Sequence, residues 1–167
     1  GDQDLYVTTT RGGNILFQNQ GAGLFKDVTP QAGLTHIGHS QTPAFFDFDN
    51  DGYLDLFVTN TAQWTTNEFD ETFKYFPGGQ DLIGLAGSPK EYNLLYHNNR
   101  DGTFTEITEE AGVKGFGWAG DIAVADFDED GRLDLFVSNM FGRGLLYRNE
   151  GNGKFRDVTK ETLGRTS

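Results

Sequence analysis

Asp47-Phe-Asp-Asn-Asp-Gly-Tyr-Leu-Asp55 and Asp126-Phe-Asp-Glu-Asp-Gly-Arg-Leu-Asp134 are two copies of one nine-residue loop, D-x-D-x-D-G-x-x-D. Each runs straight into an apolar segment, Leu56-Phe-Val-Thr-Asn60 or Leu135-Phe-Val-Ser-Asn139. Four carboxylates within nine residues repel one another unless a cation lies among them, and a hard, oxygen-seeking dication such as Ca²⁺ suits that donor set. A short apolar, β-branched or aromatic run after a turn reads as a strand, so the loop sits at the head of a strand rather than between helices. An EF-hand needs Glu at position 12 and a helix after the loop. Val58 and Val137 stand there instead.

Working outward, three further segments align: Asn14–Thr29, Asn93–Thr108 and Gly144–Thr159. Each reads as a strand, a glycine-containing turn and a second strand, the signature of a hairpin. Phe17 and Tyr96 are 79 residues apart and Tyr96 and Tyr147 are 51 apart, so one connection is longer by 28 residues, between Asn60 and Asn93. Gly1-Asp-Gln-Asp-Leu-Tyr-Val-Thr8 aligns with Gly52 to Thr59, as though the chain starts inside a third acidic loop, with Asp2 and Asp4 at its last two ligand positions. A unit then holds four strands. The sequence predicts Ala44–Phe48, Leu56–Asn60, Asn93–Asn98 and Phe104–Thr108 in the second unit. The third unit repeats them at Ile122–Phe127, Leu135–Asn139, Leu145–Asn149 and Phe155–Thr159, with single helical turns at 108–112 and 159–163.

Four strands in ~40–50 residues is the size of a β-propeller blade. The expected fold class is therefore all-β, with blades of four antiparallel strands and about 2.7 blades in this chain. The expected units are residues 1–34 (a partial blade), 35–113 (a blade with the insertion near 61–92) and 114–167. An open stack of so few blades exposes sheet edges and an apolar face. The expectation is a longer chain that supplies the remaining blades, or other copies that do so.

Composition narrows the partners. Of 25 acids, nine lie in the two loops, eight of them aspartates at the shared motif positions and the ninth Glu129, and the net charge is −12. Such a surface repels nucleic acid and anionic membrane. No apolar run reaches the ~18 residues of a membrane span. There is no cysteine, which excludes disulfides, thiolate metal sites and a cysteine nucleophile.

The loop predicts its own ligands. Side chains at positions 1, 3, 5 and 9 turn inward, glycine at position 6 permits the sharp bend, and the carbonyl at position 7 adds an oxygen. These are Asp47, Asp49, Asp51 and Asp55 with the Tyr53 carbonyl, and Asp126, Asp128, Asp130 and Asp134 with the Arg132 carbonyl. Two complete Ca²⁺ sites follow, with a third at Asp2 and Asp4. The ion's expected role is structural.

The loops and hairpins together resemble the FG-GAP/VCBS repeats of integrin α-subunit propellers and of many secreted bacterial proteins. The stretch from Phe73-Lys-Tyr-Phe-Pro-Gly-Gly79 on to Gly112 is most similar to the cartilage acidic protein family and its bacterial relatives. Those relatives often carry cysteine in this connection, where this chain has none. The resemblance implies a calcium-stabilised extracellular or periplasmic propeller, without a settled biochemical activity. A non-catalytic adhesion or interaction module with a protein or glycan partner is the expected function. The rivals are an accessory segment of a larger enzyme or membrane-associated complex, and a carbohydrate-active enzyme.

Other signals carry less. Gly115-Phe-Gly-Trp-Ala-Gly120 has the glycine spacing of a dinucleotide loop, but it precedes a strand instead of opening a helix. His36 and His39 read as loop residues, and Trp118 occupies the position that matches His39. The insertion, irregular on this reading, is flanked or occupied by Trp64, Phe69, Phe73, Tyr75, Phe76 and Tyr92. These aromatics suit either a flap packed on its own blade or a binding surface.

Overall fold

A computed structural model of the chain describes residues 3–63, 65–69, 75–77, 91–115 and 117–164, with 65–69 and 75–77 described as backbone. The fold is all-β. Strands β1 (Leu5–Val7), β2 (Ile15–Asn19) and β3 (Phe25–Asp27) form the first antiparallel sheet. The second sheet starts with β4 (Ser40–Phe46) and β5 (Asp55–Asn60). After a hairpin of β6 (Thr65–Phe69) and β7 (Tyr75–Pro77), it is completed by β8 (Leu94–Asn98) and β9 (Phe104–Glu106). The third sheet is β10 (Ala119–Ala125), β11 (Asp134–Asn139), β12 (Leu145–Gly151) and β13 (Lys154–Asp157). Apart from the inserted β6–β7 hairpin, which pairs only with itself, strands follow chain order across each sheet, the up-and-down order of propeller blades.

Alternation along β5 explains the stacking. Leu56 and Val58 face the first sheet, in a core with Tyr6, Leu16, Leu34, Leu94 and Tyr96. Phe57 faces the other way, in a core with Phe46, Phe48, Leu95, Leu135, Val137, Tyr147 and Phe155. Because both faces of the middle sheet are covered, every residue of β5 is buried. The same strand of the third sheet buries only one face: Leu135 and Val137 are at 0% exposure, whereas Phe136 is 36% exposed.

The first strands of the two complete sheets begin earlier than expected, at Ser40 and Ala119, and end at Phe46 and Ala125. Both carry a register shift, between Ser40 and Pro43 and between Ala119 and Ile122. Such a bulge tolerates a proline that cannot donate to the ladder, and it hides the period-two pattern upstream.

One-turn helices α1 (Thr29–Ala32), α2 (Thr108–Ala111) and α3 (Thr159–Leu163) each follow the last strand of a sheet, and the first two lead into the next sheet. The second and third were expected; Pro30 obscured the first, although proline fits a first helical turn. Each helix opens on a buried threonine whose hydroxyl accepts a strand N–H, from Leu16 at 2.8 Å, Leu95 at 2.9 Å and Leu146 at 2.8 Å. Each stops at a left-handed glycine. At Gly112 (φ 77°) a Cβ would also lie 3.1 Å from the Phe155 carbonyl of the next sheet.

The long connection leaves at Thr61, whose N–H donates to the His39 carbonyl at 2.9 Å, and returns at Glu91, whose N–H donates to the Thr61 carbonyl at 3.1 Å. It is not irregular throughout, since it contains the β6–β7 hairpin. Trp64 and Phe73, and the side chains of Phe69, Tyr75 and Phe76, lie outside the described residues. Tyr92 is half-exposed, with the Lys114 ammonium 5.0 Å from its ring centroid.

Candidate metal centres

Both acidic loops adopt the same conformation, and their own hydrogen bonds show why. Asp47 accepts the N–H groups of Asp51 (3.0 Å) and Gly52 (2.8 Å); Asp126 accepts those of Asp130 (3.0 Å) and Gly131 (2.8 Å). The bend requires positive φ at position 4 (Asn50 and Glu129, each 59°) and at position 6 (Gly52 and Gly131, each 86°). Glycine meets the second requirement without strain.

Three carboxylates converge in each loop. Ligand oxygens of Asp47, Asp49 and Asp55 lie within 4.8 Å of one another, and so do those of Asp126, Asp128 and Asp134. The ninth-position acids are the buried ones, at 1% exposure each. Asp55 accepts the N–H groups of Phe48 (3.2 Å) and Asn98 (2.8 Å), and Asp134 those of Phe127 (3.1 Å) and Asn149 (2.7 Å). Burial, aided by Asp49 and only partly offset by those N–H donors, pushes Asp55 up to about 6. Burial raises Asp134 as well, with Asp128 and Asp130 adding to it. Each trio thus runs from an exposed acid (Asp49, Asp128) to a buried one (Asp55, Asp134) whose charge water screens poorly, a cost that a coordinated cation removes. Their donors are all oxygen, so the residues fit a hard dication.

The fifth-position acids are held differently. The Tyr53 N–H (2.8 Å) and then the Arg100 guanidinium keep Asp51 below the usual carboxylate range; Arg100 Nη2 is 2.7 Å from Asp51 Oδ2. Asp130 accepts the Arg132 N–H at 3.0 Å and pairs with the Arg132 guanidinium. Asp51 and Asp130 thus border the convergent trios, each bound to an arginine. Asp51 also groups with Asp49 and His97, whose Nε2 is 3.2 Å from Asp49 Oδ2. In the third unit Arg148 replaces His97, so the two loops differ on that side. Asp2 lies outside the described residues. Asp4 accepts the Asn19 N–H at 2.8 Å, as Asp55 accepts that of Asn98.

Sequence reasoning overlooked one set of residues. Asn19, Asn98 and Asn149 each donate a backbone N–H to the loop's last aspartate and a side-chain N–H to the carbonyl just before it, of Gln3 (3.0 Å), Leu54 (2.9 Å) and Leu133 (3.1 Å). Each amide oxygen then accepts the N–H two residues on, of Gly21, Arg100 and Gly151. Their shared position in the three hairpins was the available signal.

Elsewhere, His39 is buried with Nδ1 2.9 Å from Glu91 Oε1, so it is a packed residue held by the long connection. Trp118 sits in the matching place, and its carbonyl accepts the Met140 N–H at 2.8 Å as that of His39 accepts Thr61. Of Gly115–Gly120, Ala119 and Gly120 already lie in β10, and among the described residues no helix opens there.

A profile described as FG-GAP-like repeat matches residues 1–58, 78–137 and 126–167, which together span most of the chain. Cartilage acidic protein 1 of Xenopus tropicalis is 26% identical over 145 residues, 84% of this chain and 18% of that protein. The human and mouse proteins of that name are 39% and 37% identical over 70 residues, 40% of this chain and 11% of each of theirs. The chain therefore spans under a fifth of these relatives' length. With repeated acidic loops, matching hairpins and stacked sheets, the chain belongs to the FG-GAP-like repeat family.

Proposed function

We propose that this chain is a calcium-stabilised propeller segment, a non-catalytic module of an extracellular or periplasmic protein that binds a protein or glycan partner. One Ca²⁺ is held by Asp47, Asp49 and Asp55, the other by Asp126, Asp128 and Asp134. Asp51, Asp130 and the carbonyls of Tyr53 and Arg132 complete the two shells, and Asp2 and Asp4 belong to a third site. The observation that carries the reading is the convergence of the same three carboxylates in both loops. Each ion joins the first two strands of a sheet and neutralises the loop, so its role is structural.

Three units, at 1–34, 35–113 and 114–167, form this part of the ring, and the other blades come from a longer chain or from further copies. Family membership supports the interaction role. Affinity on the order of 10⁻⁴–10⁻³ M, usual for extracellular modules, would fill these sites outside cells and leave them empty in cytosol. The test is thermal melting in millimolar calcium and after EDTA. The melting temperature rises with calcium and falls back with chelator; one that ignores both refutes the reading.

A further inference from the structure

We infer that the two acidic loops are coupled across the sheet boundary, through Asn149 and Asn50, so that filling one raises the metal affinity of the other. This rests on the calcium reading above and adds a property that two isolated loops would not have.

The connection is a continuous run of hydrogen bonds. Asn149, fully buried, donates its backbone N–H to Asp134 Oδ1 at 2.7 Å. Its side-chain amide donates both to the Leu133 carbonyl in its own loop (3.1 Å) and to the Phe48 carbonyl in the other loop (2.7 Å). Phe48 lies between Asp47 and Asp49, and its own N–H donates to Asp55 Oδ2 at 3.2 Å. The buried acids Asp134 and Asp55 are therefore joined through Asn149 and the two backbone groups of Phe48, its carbonyl and its N–H. A second link runs on the exposed side, where Asn50 Nδ2 donates to the Gly131 carbonyl at 3.1 Å. Asn50 stands between Asp49 and Asp51, and the Gly131 N–H donates to Asp126 Oδ2 at 2.8 Å.

Comparison within the chain isolates the feature. Asn19 and Asn98 brace their own loops as Asn149 does, yet among the described residues only Asn149 adds a bond to a neighbouring unit. The Phe48 ring, 2% exposed, packs on Phe155 of the third sheet with centroids 6.0 Å apart, so the peptide between the loops is held from both sides.

The physical consequence is linkage. An empty loop is opened by repulsion among its carboxylates, and opening either one pulls the Phe48 or Gly131 carbonyl from its donor. A cation that closes one loop restores both bonds and so favours the closed form of the other. Such coupling must be reciprocal.

The test is a calcium titration of the ¹⁵N-labelled chain, following the Gly52 and Gly131 amides as separate reporters. Asp128→Asn, which cripples the second loop, shifts the Gly52 midpoint to about fivefold higher calcium, the low end of usual couplings. Asp49→Asn shifts the Gly131 midpoint by the same factor. Asn50→Gly keeps the positive φ while removing one link, and Asn149→Ser removes the other; each, placed behind the crippling substitution, shrinks that factor. Asn50→Gly carries this arm alone should Asn149→Ser fail to fold. A Gly52 curve identical with and without Asp128→Asn overturns the coupling while leaving two calcium sites intact. A factor unmoved by the asparagine substitutions overturns their assignment. If neither amide responds to calcium in the parent chain, the metal reading fails, and the coupling with it.

Discussion

Asp55→Asn separates a metal ligand from a mere structural brace, because its effect should change with calcium. In the parent chain, Asp55 is raised to about 6 from an ordinary 3.8. An acid raised by folding takes up protons more readily folded than unfolded, so stability falls as pH rises from about 4 to 6 and the penalty is complete above that. It amounts to roughly 3 kcal/mol. Asparagine removes that charge but presents an NH₂ where Asp55 now accepts from Phe48 or Asn98, which costs about 1–3 kcal/mol for the orphaned N–H. In EDTA near neutral pH the two changes nearly cancel. In calcium the variant forfeits its ion as well. A site of affinity on the order of 10⁻⁴ M, with calcium about fiftyfold above that value, contributes about 2 kcal/mol. The assay is urea unfolding of both proteins in EDTA and in calcium. The expected result is a small difference in EDTA and a loss near 2 kcal/mol in calcium. The same difference in both buffers would refute the reasoning.

Other consequences can be measured on the same chain. Phe57→Ala should cost about 3–5 kcal/mol and Phe136→Ala about 1 kcal/mol, since one ring fills a core between sheets and the other borders solvent; equal urea midpoints would contradict the stacking. Arg100→Gln should tighten calcium binding at the first loop about twofold or more by freeing an Asp51 oxygen from a charge pair, and calorimetry showing weaker binding would instead make Arg100 a brace. His36 is lowered, chiefly by burial, so the unfolded chain binds the extra proton and stability drops as pH falls through the histidine range. His36→Gln should flatten that part of the stability–pH curve, and an unchanged slope would contradict the assignment.

Much of the fold was legible because two signals coincide. Short apolar runs directly after the loops, Leu56-Phe-Val58 and Leu135-Phe-Val137, give the strands, and the recurring hairpins give their order. The first strands start three or four residues before, and end two residues before, the expected positions, because a bulge in each, and Pro43 in the second unit, interrupt the pattern. The hairpin in the long connection was missed, its strands having no counterpart in the other units. In the loops, spacing alone named eight acids. It could not reveal that Asp51 is drawn to Arg100, which arrives from the β8–β9 turn, 49 residues away. Asn149 was similarly opaque: its reach to Phe48 spans 101 residues and exists only once the sheets stack.

An anomalous difference map from crystals soaked in a lanthanide calcium mimic tests the central claim most directly. Two strong peaks per chain are expected among the described residues, one bonded to Asp47, Asp49 and Asp55 and one to Asp126, Asp128 and Asp134. Density of the ion elsewhere with both trios bare would contradict it.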